Sequence, residues 1–160
     1  MSNLDLITGD IVFNAKPDAV PYNYRISYKV SQICLILRIC GRKDTCSLIK
    51  LQMISGALIS DEAMEYLSML SEGRDSMPLV RFDPAVNYAL TFGIAYGLIA
   101  QLKAGSYVLT TAGHNYAERI KLAGDIMVTE ISRLNTISKK LTEKRIKVIT
   151  DYWGTSNASN

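Results

Sequence analysis

The stretch "YVLTTAGHNYAERI", Tyr107 to Ile120, holds the chain's single histidine, His114. Glu118 follows one helical turn later, where a carboxylate would orient an imidazole for general-base work. Such a pair also needs a nucleophile or a metal. The sequence carries no GxSxG elbow, HExxH, Walker A loop or GxGxxG signature to supply one. His114 is therefore read as a structural side chain in the first turn after a helix cap, where Gly113 permits close approach. Cys34, Cys40 and Cys46 fall close together. Their odd number and the lack of a CxxC pair argue against a disulfide framework and a zinc ribbon. Cys34 and Cys40 sit in an apolar run, where a thiol behaves as a small hydrophobe. A metal site of Cys40, Cys46 and His114 would require the fold to gather them. The acids Asp61, Glu62 and Glu65 suit the positive end of a helix dipole better than a carboxylate pair for catalysis. The expectation is a protein that is not an enzyme, with no catalytic, cofactor-binding or metal-binding residues, no cofactor and no small-molecule substrate.

The basic side chains are more suggestive. Lys139, Lys140, Lys144, Arg145 and Lys147 cluster within nine residues, and Arg119 and Lys121 add charge upstream. Read as a helix, the run places Lys140, Lys144 and Lys147 on one face with Arg145 at its border. A phosphate-contacting surface, a surface docking an acidic partner and an ordinary solvated face all fit this pattern. A net charge of +3 is too mild to imply nucleic-acid binding by itself.

These residues need elements to position them. With 160 residues, nearly half apolar and about a fifth charged, the chain points to one soluble domain with a real core. The start, "MSNLDLITGD", lacks the basic and apolar regions of a signal peptide. "ICLILRIC" and "FGIAYGLIAQL" are too short to span a bilayer. A reducing cytoplasm is the expected location. Residues 1–21 read as an N-terminal arm in which "DIVFNA" offers a short strand. Ile26, Val30, Ile33, Leu37 and Cys40 keep helical spacing from about Tyr24. Leu35, Ile36 and Ile39 fill the other side, so this helix should be buried all round. Gly41 stops it. The turn "GRKDTCS" caps a second helix with Leu48, Leu51, Ile54 and Leu58 inward. Ser60-Asp61 opens a third, with Ala63, Met64, Leu67 and Leu70 inward.

"LVRF", Leu79 to Phe82, is a strand candidate. Asp83-Pro84 starts a helix, since Asp caps the exposed N–H groups and Pro fits the first turn. That helix is expected to reach about Leu102, with Ala89, Gly93 and Gly97 as a row of small residues. Ser106 to Leu109 alternates as a strand. Thr110-Thr111 caps a long helix whose stripe runs through Tyr116, Ile120, Ala123, Met127, Ile131 and Leu134 to an interruption at Asn135-Thr136. A basic helix from Ser138 to Tyr152 and a disordered tail at 154–160 complete the chain.

The expected fold is mainly α with a small antiparallel β ribbon, the strands at 79–82 and 106–109 pairing across the intervening helix. Residues 22–135 form a winged-helix-like domain, and residues 136–153 form a basic C-terminal helical extension. A helix-turn-helix reader presents Arg, Lys, Asn or Gln to base edges. Here the third helix, "DEAMEYLSMLSE", is acidic, and the helix after Pro84 is almost uncharged. That favours a winged-helix domain used for protein contact over a DNA-binding transcription regulator, which is kept as the alternative.

Two segments, "KVSQICLILRICGRKDTCSLIKLQMISGALIS" and "VRFDPAVNYALTFGIAYGLIAQLKAGSYVLTTAGHNYAERI", resemble the middle components of bacterial three-component conflict systems built around an ABC ATPase, of which the Lamassu anti-phage system is a relative. Ser47-Leu48-Ile49-Lys50-Leu51, Phe82-Asp83-Pro84, Gly97-Leu98-Ile99 and Tyr107-Val108-Leu109-Thr110-Thr111-Ala112-Gly113 stand where that family has its motifs. The resemblance spans about residues 24–120 and leaves the basic C-terminal segment unmatched. It implies an accessory subunit without chemistry of its own. Such a subunit bridges an SMC-like ATPase to an effector, often a nuclease, and holds the effector in check until foreign DNA is sensed. Contact with DNA stays open beside that role.

Overall fold

A computed structural model describes residues 22–74 and 83–158, with side chains described for 25–74 and 83–151. The helices are α1 (Tyr22–Cys40), α2 (Leu48–Ala57), α3 (Asp61–Ser71), α4 (Pro84–Ala95), α5 (Thr111–Ala123), α6 (Val128–Ile137) and α7 (Glu143–Ala158). The strands are β1 (Thr45–Cys46), β2 (Ile99–Gln101) and β3 (Tyr107–Leu109). The fold is mainly helical with a small antiparallel sheet.

The apolar density of α1 decides the architecture. Ile33, Cys34, Leu35, Ile36 and Leu37 are consecutive and wholly buried. Five successive helical positions sweep more than a full turn, so this half of α1 has no solvent face. Neighbours on every side are required, and α2, α4, α5, α6 and the sheet provide them. Each fully buried Leu or Ile here contributes about 1.5–3 kcal/mol of transfer free energy.

Side-chain caps mark the helix starts. Ser47 Oγ accepts from Lys50 N at 3.2 Å, and Ser60 Oγ from Ala63 N at 3.0 Å. Asp83 Oδ1 accepts from Ala85 N at 2.9 Å, and Thr110 Oγ1 from Gly113 N at 3.1 Å. Each satisfies an N–H that the helix itself leaves without a partner.

Four expectations are corrected. The helix after Pro84 stops at Ala95 rather than running to Leu102, because Gly97 turns the chain at φ +75°. The chain then reverses into β2. Gly93 admits this return: a Cβ there would lie 2.6 Å from Ile99 Cδ1. The small residues thus serve the chain's own next strand. Second, the ribbon is a hairpin of β2 and β3, in which Ile99 faces Leu109 and Gln101 faces Tyr107. β1 adds on β3's other side, giving the order β1-β3-β2. The expected strands in "LVRF" and "DIVFNA" lie outside the described residues. Third, the long helix from Thr111 breaks at Gly124, φ +77°, into α5 and α6. Asn135 and Thr136 lie inside α6. Fourth, the basic helix begins at Glu143 rather than Ser138 and continues to Ala158, beyond Trp153 and into the segment expected to be a disordered tail. Ser138 departs from helical geometry at φ 46°, and Thr142 Oγ1 accepts from Arg145 N at 3.1 Å to open the new helix.

Candidate functional site

His114 lies in the first turn of α5 and is oriented by an acid, though not by Glu118. Its Nδ1 is 2.7 Å from Asp44 Oδ2, in the turn between α1 and β1. Lys43 and Asp44 both hold left-handed backbone there, φ 52° and 59°. That conformation is costly for Lys and tolerated by Asp. Asp44 Oδ1 also lies 3.5 Å from Arg38 Nη1. Arg38 Nε donates to Glu118 Oε1 at 2.6 Å, and Lys121 Nζ is 3.3 Å from the same oxygen. The result is a chain of polar contacts, His114–Asp44–Arg38–Glu118–Lys121. It fastens the end of α1, the strained turn and α5 to one another. Burial works to raise the Glu118 carboxyl's pKa. The hydrogen bonds and charges of Lys121 and Arg38 together outweigh it and hold that carboxyl below its ordinary value. Among the described residues, no hydroxyl or thiol hydrogen-bonds the His114 ring.

The thiols are buried. Desolvation pushes Cys34, Cys40 and Cys46 up to about 12, with Lys50 working in the opposite direction on the latter two. A thiol held there supplies almost no thiolate at neutral pH. Among the described residues, no three His, Cys, Asp or Glu side chains are grouped to hold a metal ion.

A second polar cluster fixes the start of α4. Gln52 of α2 grips the backbone of Asp83 twice: its Oε1 accepts from Asp83 N at 2.9 Å and its Nε2 donates to Asp83 O at 3.3 Å. Lys29 Nζ donates to Ser55 Oγ at 2.7 Å and lies 3.4 Å from Asp83 Oδ2. Ser55 Oγ in turn donates to Gln32 Oε1 at 3.3 Å. Burial pushes the Lys29 ammonium below its ordinary pKa, with the charge and hydrogen bond of Asp83 opposing the shift. Val86, Ala89, Leu90 and Gly93 anchor the inner side of α4 against the core.

The outer side of α4 departs from an ordinary solvated helix. Pro84, Asn87, Tyr88, Thr91, Ile94 and Ala95 are exposed and share one face at helical spacing. None is charged. Tyr88 is 56% exposed, Ile94 41% and the adjoining Tyr96 58%. The hairpin turn that follows exposes Leu102, at 44%.

The seven basic residues singled out in the sequence do not form one patch. Arg119 and Lys121 ride on α5, which packs on α1 and β3, whereas α7 packs on α2. Lys121 is paired with Glu118, and the Arg119 guanidinium stands 6.0 Å from the Tyr116 ring centroid. Arg145 is half-buried, and its Nε donates to Leu70 O at 3.1 Å. It thereby caps the last turn of α3, where a cation also meets the negative helix end. Lys139 and Lys140 lie in the turn before α7, so the expected single helical face through Lys140, Lys144 and Lys147 is corrected to a turn pair followed by a helical pair. All four lysines are exposed. Among the described residues no ion pair reaches them.

Sequence reasoning missed Asp44 as the partner of His114, and it missed the cluster of Lys29, Gln52 and Asp83. Both join residues far apart in the chain, and no local spacing announces either. No described helix is long and apolar enough to cross a membrane. In comparisons with known proteins, the chain matched no family model, no curated protein and no solved structure.

Proposed function

We propose that this protein is a non-catalytic bridging subunit of an SMC-like ATPase complex of the anti-phage type, linking the ATPase to an effector through surfaces rather than through a reaction centre. The family part of this reading rests on the sequence resemblance. The observation that carries the surface part is the outer face of α4: uncharged, tyrosine-bearing, and rigidly seated by Gln52, Asp83 and the core. Exposed Tyr with neighbouring aliphatic side chains is the composition of protein contact surfaces, from which charge is depleted at the centre.

The element order supports the winged-helix reading. A helix precedes β1, further helices follow, and a β2–β3 hairpin closes on β1 in the order β1-β3-β2. In that comparison α4, immediately before the hairpin, stands where a DNA-reading helix would lie. Its exposed face offers no Lys or Arg to a base edge. The first turn of α3 carries Asp61 and Glu62, which repel phosphate. Both features favour a protein partner over the alternative, a winged-helix transcription regulator.

Co-expression with the products of the neighbouring genes tests the proposal. The tagged chain is expected to copurify with an ATPase and an effector. A Tyr88→Glu, Ile94→Glu double variant should lose at least one of them while keeping its thermal midpoint within a few degrees. A chain with no ATPase encoded beside it, or a double variant that captures both partners as well as wild type, would overturn the reading.

A further inference from the structure

We propose that the edge formed by Lys139, Lys140, Lys144 and Lys147 is a sequence-independent contact for the phosphate backbone of duplex DNA. This inference stands apart from the bridging reading, since it concerns a different part of the surface from the outer face of α4.

The argument starts from how these four ammonium groups are held. Lys144 and Lys147 sit three residues apart on α7 and so project as neighbours from one side. Lys139 and Lys140 precede them in the turn that joins α6 to α7. All four are exposed, and no described carboxylate pairs with them. The acid in their midst, Glu143, is engaged elsewhere, its Oε1 accepting from Ser47 N at 2.9 Å. Lys121 and Arg133, both partly buried, are by contrast neutralised at short range by Glu118 and Asp61. Here four exposed lysines stand within nine residues against one acid, Glu143.

The side-chain types choose between two polyanionic partners. A protein interface draws its energy from Arg and aromatic anchors, and lysine is depleted there. The one arginine in the cluster, Arg145, directs its Nε to Leu70 O inside the fold. What remains are compact point charges on flexible stems, suited to phosphate oxygens and unable to grip a carboxylate with two parallel bonds. Without an available guanidinium to reach base edges, the contact carries charge and no sequence preference.

Fluorescence anisotropy with a labelled 20-base-pair duplex, in a NaCl series, tests this on the full chain. Neutralising four phosphates predicts a slope of log K against log salt of about −3.6. Two duplexes of unrelated sequence should bind within about twofold of each other. Lys144→Glu with Lys147→Glu should flatten the slope by about 2. Lys144→Arg with Lys147→Arg should leave it unchanged, as should Lys103→Glu on the hairpin turn. The proposal fails if no binding appears at low salt. It fails equally if the charge-reversal variant keeps the wild-type slope, or if polyglutamate binds this edge and duplex does not, which would assign it to an acidic protein.

Discussion

At the scale of single residues, His114 ties α5 to the turn between α1 and β1. Its partner Asp44 is shared with Arg38, and Arg38 is shared with Glu118, so one carboxylate serves two side chains from different elements. Replacing Asp44 with Ala strands both and should cost about 1–3 kcal/mol in urea unfolding, the range for a hydrogen bond to a charged group. Two titrations give signatures of the same sign in different pH ranges. The Glu118 carboxyl is held below its ordinary value in the folded chain, so its contribution is present above that ordinary value and is lost as the pH falls through the folded one. The Lys29 ammonium is also lowered. Between its folded and its ordinary value the unfolded chain binds more protons, so stability from this group rises with pH across that window. Chemical denaturation from neutral to alkaline pH should show the rise, and Lys29→Met should abolish it. The thiols give a third check. With Cys34, Cys40 and Cys46 buried and raised to about 12, iodoacetamide at neutral pH should leave all three unmodified in the native protein and label all three in denaturant.

At the scale of elements, glycines decide where helices end. Gly93→Ala places a methyl 2.6 Å from Ile99 Cδ1 and should destabilise by about 1–3 kcal/mol through overpacking. Gly56→Ala meets nothing within 4 Å and sits in α2, so it should stabilise by up to about 1 kcal/mol. Thermal unfolding of the two variants should move in opposite directions. The same glycines show what was legible in the sequence. The caps at Ser47, Ser60, Asp83 and Thr110 were readable because capping is local chemistry. The all-round burial of α1 was readable because five apolar residues in succession admit no other helical solution. The ends of α4 and α5 were not, since a glycine inside an apolar run continues a helix or turns it according to what packs beside it. For Gly97 that is decided by Thr110, whose N–H donates to Leu98 O at 3.0 Å and whose hydroxyl donates to Gly97 O at 2.5 Å. The start of α7 slipped for a similar reason: Leu141 is wholly buried and Ser138 breaks the helix ahead of it. Of the candidate site, the lysines could be found by charge counting. Their lack of partners, and the inward turn of Arg145, belong to tertiary structure.

At the scale of the whole molecule, two surfaces of opposite character lie on one packed set of helices. The outer face of α4 is uncharged, whereas the Lys139–Lys147 edge is charged and lacks an aromatic anchor. α4 packs on α1, α2 and β2, and α7 also packs on α2, but among the described residues no ion pair links Tyr88 or Ile94 to Lys144 or Lys147, so the two double variants should behave additively. The Tyr88→Glu, Ile94→Glu variant is expected to keep the wild-type salt slope for duplex. The Lys144→Glu, Lys147→Glu variant is expected to keep wild-type partner capture. Measuring both variants in both assays separates one continuous interface from two independent ones.

The central position of α1 has a consequence for how the chain is made. This helix leaves the ribosome long before α4, α5 and α6, the helices that shield it from water. From Cys40 to the end of α6 at Ile137 the nascent chain must carry its greasiest segment incompletely covered for roughly a hundred residues, about 5–20 s at ordinary rates of synthesis. Newly made chains are thus open to chaperone capture or to clumping during that interval, and a ribosome stalled short of α6 would release a product unable to bury its own axis.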